Sequence, residues 1–69
     1  MTQVRTWWFK DTVSGEEFFV ETRTNSERTR SAAKAKAERI ARKYFNSPRL
    51  VAQISLASAE TMGLDTYTD

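Results

Sequence analysis

Two runs of bulky residues, Trp7-Trp8-Phe9 and Phe18-Phe19-Val20, constrain this chain more than any other feature. Aromatic and β-branched side chains suit strands, and consecutive strand residues point to opposite faces of a sheet. Each run therefore sends large apolar groups to both faces, so a fold built on them must cover both sides. The surrounding stretches, Val4 to Lys10 and Glu17 to Arg23, have strand-like alternation. Between them Asp11-Thr12-Val13-Ser14-Gly15 is turn chemistry, with Gly15 free to take a positive φ. The two stretches are expected to form a hairpin.

Charge decides its register. Glu17 and Glu21 flank Phe19 on one face, so Phe18 and Val20 turn inward. Pairing Asp11 with Glu16 sets Phe9 against Phe18 and Trp7 against Val20 on the core side. Trp8 then meets Phe19 on the outer face, beside a favourable Lys10–Glu17 pair. A shift by one residue brings Trp8 inward but sets Arg5 against Arg23, and like charges directly opposite are destabilising. The first register is preferred.

Thr24-Asn25-Ser26-Glu27 has the spacing of a capping box, in which the threonine hydroxyl accepts from an early helical N–H and the glutamate reaches back. From there to Phe45 the chain is Ala, Lys, Arg and Glu without Gly or Pro, which predicts a helix ending at Asn46-Ser47-Pro48. At 100° per residue Ala33, Ala37, Ile40, Ala41 and Tyr44 share a narrow arc, the expected core face. Their small size lets the helix approach closely and leaves room for strand aromatics. Next, Leu50-Val51-Ala52-Gln53-Ile54-Ser55-Leu56 alternates, with Leu50, Ala52, Ile54 and Leu56 expected on one face of a third strand.

The expectation is a single α+β domain over 1–69, with a ββαβ core in 1–56 and a tail in 57–69. A right-handed crossover that skips the first strand gives a three-stranded sheet of order 2-1-3 with one basic amphipathic helix on one face. In the tail, Ser58 to Met62 can form a helical turn closed by Gly63. Trp7, Phe9, Phe18, Val20, Ala37, Ile40, Tyr44 and Ile54 are expected to make the core.

The chain has neither cysteine nor histidine, which removes disulfides, thiolate metal sites and the commonest general base. No glycine-rich phosphate loop or positioned acid–base pair is visible, so neither an enzyme nor a cofactor is expected. No stretch approaches the roughly 20 apolar residues of a membrane span, and no apolar leader core follows Met1. A cytoplasmic protein is the expectation.

Two surfaces stand out as candidates for function. The segment from Arg28 to Arg49 carries eight basic residues against one acidic, while the rest of the chain is net acidic. Arg28, Lys36, Arg39, Arg42 and Lys43 fall in one arc of the helix, and such a stripe suits phosphate contacts with little sequence preference. The plain alternative is a solvated helix face, since Lys and Arg are good helix formers. The second surface is the outer sheet face with Trp8 and Phe19. It is expected either to lie under the tail residues Met62, Leu64 and Tyr67 or to dock a partner or second copy. Base stacking there ranks last, because Glu17 and Glu21 would repel a phosphate backbone. The expectation is a non-enzymatic binding protein whose basic helix stripe contacts an anionic partner, nucleic acid above all, without strong sequence preference. The alternative is a protein-interaction module, inhibitor or homodimer using the aromatic face.

Overall fold

The computed structural model of the chain describes residues 3–24 and 30–68. Asn25 to Glu27 of the expected capping box, and the stripe residue Arg28, lie outside the described residues. The order is β1 (Gln3–Asp11), β2 (Glu17–Thr24), α1 (Arg30–Tyr44), β3 (Pro48–Ile54), α2 (Leu56–Met62) and β4 (Thr66–Tyr67). The fold is a small α+β unit, ββαβαβ, with a mixed sheet of order β3-β1-β2-β4.

The hairpin has the register that charge favours. Trp7 pairs with Val20, Trp8 with Phe19, Phe9 with Phe18 and Lys10 with Glu17. The Asp11 amide donates to the Glu16 carbonyl at 2.8 Å, and Gly15 takes φ 78° in the turn. Asp11 is more than a turn residue. It is almost fully buried, and its carboxylate accepts from the Ser14 hydroxyl at 2.8 Å and from the Ser47 amide at 3.0 Å. Together with the Thr12 amide, which donates to the Ser47 carbonyl at 3.0 Å, it ties the hairpin tip to the α1–β3 connection. Burial alone would raise the Asp11 pKa. The hydrogen bonds from Ser14, Ser47 and Val13 outweigh it and hold the pKa below its ordinary value of 3.8.

The core beneath α1 follows from the small-residue helix face. Ala33, Ala37 and Ala41 are fully buried against Trp7, Phe9, Phe18 and Val20, with Ile40 at their side. The buried Trp7 indole Nε1 donates to Thr22 Oγ1 at 2.9 Å, so the one polar atom of that ring is satisfied. Tyr44, expected in the core, is instead 54% exposed. At the last helical position it lies over the Tyr67 ring, centroids 4.7 Å apart, while Phe45 takes the inward place and stacks on Phe18 at 3.9 Å. The chain leaves the helix there, so the 100° spacing that places Tyr44 inward no longer governs the next residue.

The third strand corrects a second expectation. It pairs antiparallel with β1, but the register shifts between Trp8 and Phe9: Phe9 faces Leu50, while Trp8 faces Ala52 and Thr6 faces Ile54. Val51 is the extra residue of a β-bulge, and one extra residue reverses the inside–outside alternation. Leu50 therefore packs with the core under α1, whereas Ala52 and Ile54 share the outer face with Trp8.

The tail is not an appendage. Ser55 caps α2, its hydroxyl accepting from the Ser58 amide at 3.2 Å, and Gly63 closes the helix at φ 66°. The chain then returns as β4, parallel to β2, with Phe19 beside Thr66 and Val20 beside Tyr67. The sheet thus has four strands, not three. Tyr67 packs edge-on against Phe18 and Phe45 on the α1 side, so it does not cover the outer face. On the outer face α2 lies against β1 and buries Ala59, and Phe19, whose amide donates to the Asp65 carbonyl, is fully buried. The two crossovers run in opposite directions on opposite faces between parallel strands, so they share one hand.

Candidate nucleic-acid interface

The basic arc divides into two parts once the helix is docked. Lys36, Arg39 and Lys43 line a groove of about 180 Å³ with Ile40 at its floor. All four lining residues belong to α1. Lys36 also borders a neighbouring cleft of about 240 Å³ with Glu21, Arg23 and Thr68. There Arg23 is held by Glu21, Nη2 to Oε1 at 2.9 Å. Arg42 lies further round the helix and approaches Glu38 one turn earlier, Nη2 to Oε2 at 4.0 Å. So three of the five stripe residues share one groove, Arg42 is drawn to an acidic neighbour, and Arg28 is outside the described residues. The periodicity of the sequence places all of them on one arc. It does not show which flank of that arc borders the sheet edge.

The groove's apolar floor is a single residue, so it suits a charged backbone better than a small apolar ligand. Arg and Lys here sit on a rigid 15-residue helix whose packed face fixes its rotation. The last turn carries Arg42 and Lys43, which also complement the helix dipole.

The opposite flank of α1 holds a residue the periodicity does not single out. Arg30 places its guanidinium 6.0 Å from the Trp7 ring centroid, and its Nε donates to Gln53 Oε1 at 2.9 Å. Those contacts pin the first described turn of α1 to β1 and β3. Only the cross-strand neighbourhood of Gln53 and Trp7, which depends on the bulge, could have revealed it.

On the outer face, Phe19 is fully buried within the chain, whereas a partner anchor has to be exposed. Trp8 is half-buried and its Nε1 donates to Glu17 Oε1 at 3.1 Å. The two residues are cross-strand partners, yet only Trp8 reaches solvent.

Among the described residues no group of three acidic, His or Cys side chains is placed to hold a metal ion, and no helix is long and apolar enough to cross a membrane. Comparison with protein-family models, curated proteins and solved structures finds no match.

Proposed function

We propose that this protein binds nucleic acid through the groove of Lys36, Arg39 and Lys43, contacting the phosphate backbone with little sequence preference. The observation that carries this reading is the convergence of three cationic side chains on one groove of a rigid, well-packed helix. Affinity of this kind comes from counterion release and requires no base-specific contact. No step of covalent chemistry is part of this reading. The alternative, a protein-interaction module anchored by Trp8 and Phe19, is weakened because Phe19 is sealed inside the chain.

Fluorescence anisotropy with short duplexes of unrelated sequence tests the proposal. Wild-type protein should bind them with similar affinities at low salt. The variant Arg39→Gln should weaken binding to all of them, while Arg42→Gln, whose cation leans on Glu38, should change it much less. Equal losses for the two variants would show that the groove is not the contact surface.

A further inference from the structure

The outer end of the sheet carries a second cationic feature, created by the bulge. Because Val51 is looped out, Lys10 pairs directly with Arg49 as well as with Glu17 on its other side. Both cations are exposed, and among the described residues neither makes a salt bridge. Like charges set directly across a ladder are destabilising, so the pair has an electrostatic deficit that an anion between them would relieve. Glu17, across from Lys10 on β2, offsets only part of it, since its one carboxylate meets two cations and lies on the side of Lys10 away from Arg49.

Trp8 stands two residues from Lys10 on the same face. Its neighbour across β3 is Ala52, which has no bulk beyond Cβ to cover it, so part of the indole stays in solvent. Its N–H is fixed by Glu17, which holds the ring in one orientation. An anchored, partly exposed indole beside two exposed cations has the composition of a base-stacking and phosphate-binding site.

We propose that Trp8, Lys10 and Arg49 form a contact site for single-stranded nucleic acid on the face opposite α1, with a base on the indole and a phosphate between the cations. The ligand class rests on the proposed function, but the residues are distinct from the α1 groove. Of the acidic neighbours, Glu21 is held by Arg23, while Glu17 keeps its charge beside Lys10 and leaves one net positive charge among Lys10, Arg49 and Glu17.

The test is tryptophan fluorescence during titration with an oligothymidylate at low salt. Trp7 is fully buried and hydrogen-bonded, so any quenching by stacked bases comes from Trp8. Binding should quench the emission. The double variant Lys10→Gln/Arg49→Gln, which leaves the core untouched, should weaken binding and flatten the log K against log salt slope by about 0.7, the share of the single phosphate held between the two cations. The groove variant Lys36→Gln/Arg39→Gln/Lys43→Gln should keep the quenching at saturation. If the oligonucleotide binds and only the groove variant weakens it, with no quenching, this site is overturned and the groove stands. If only the Lys10/Arg49 variant loses binding, the site stands and the groove reading fails. Equal quenching by thymidine monophosphate at the same nucleotide concentration would overturn the assignment to a strand, and no binding of any nucleic acid would remove both proposals.

Discussion

Replacing Thr22 by Val probes the most specific polar contact in the core. Thr22 is 1% exposed, and its hydroxyl accepts the Trp7 indole proton at 2.9 Å. Valine keeps the β-branched shape and the strand preference but removes the acceptor. The buried indole N–H is then left without a partner, at a cost of about 1–3 kcal/mol. The added methyl regains at most about 0.8 kcal/mol by burial. A net loss of about 1–2 kcal/mol is a large share of the roughly 3–10 kcal/mol expected for a chain of this length. Urea unfolding measures it: with a slope near 1 kcal/mol per M for so small a protein, the midpoint should fall by about 1–2 M. The partner variant Trp7→Phe should make the Thr22→Val change nearly neutral, because the donor is gone as well. An unchanged midpoint for Thr22→Val in the wild-type background would refute the claim that this bond satisfies a buried donor.

Phe18 is 1% exposed and sits between the Phe9 and Phe45 rings, so Phe18→Ala should cost roughly 3–5 kcal/mol and leave much of the protein unfolded by circular dichroism. Because Asp11 has a lowered folded pKa, the stability it contributes is complete above its unfolded pKa near 3.8 and is lost as pH falls through the lower folded value. Wild type should therefore be more stable than Asp11→Asn at neutral pH, and the gap in thermal midpoint should shrink in strong acid; a gap that widens in acid would reverse the sign argued here. Deleting residues after Thr61 removes β4 and the end of α2, exposing Phe19 and the β2 edge, so light scattering should show a destabilised protein that self-associates. A truncated protein that remains a stable monomer would show that β4 and its connection to α2 are not the cover.

Much of this fold was legible because local rules agreed with one another. Alternation of apolar residues, the Lys10–Glu17 pair and the avoided Arg5–Arg23 clash all selected one hairpin register, and the structure has it. The alanines of the helix marked its core face correctly, because close helix–sheet approach requires small residues there. Failures came where one residue changes a geometric rule. The bulge at Val51 reversed the faces of Ala52 and Ile54, and nothing in Leu50-Val51-Ala52 announces it. Tyr44 and Phe45 exchanged roles because the helix ends between them. A two-residue strand has no periodicity to read, so β4 was invisible, and with it the place of Tyr67. The same limits apply to the candidate site. Periodicity grouped the cations, but only the docking of α1 separated Lys36, Arg39 and Lys43 from Arg42. The Lys10–Arg49 pair follows from the bulge and was hidden with it.

The central claim is that the α1 groove neutralises phosphates, and the salt dependence of duplex DNA binding measures that directly. Each phosphate contact contributes about 0.9 to the slope of log K against log salt. Lys36→Gln/Arg39→Gln/Lys43→Gln should therefore flatten the wild-type slope by about 2–3, with the circular dichroism spectrum unchanged. A slope that is the same in both proteins, or wild-type protein that fails to bind DNA at low salt, would contradict the account.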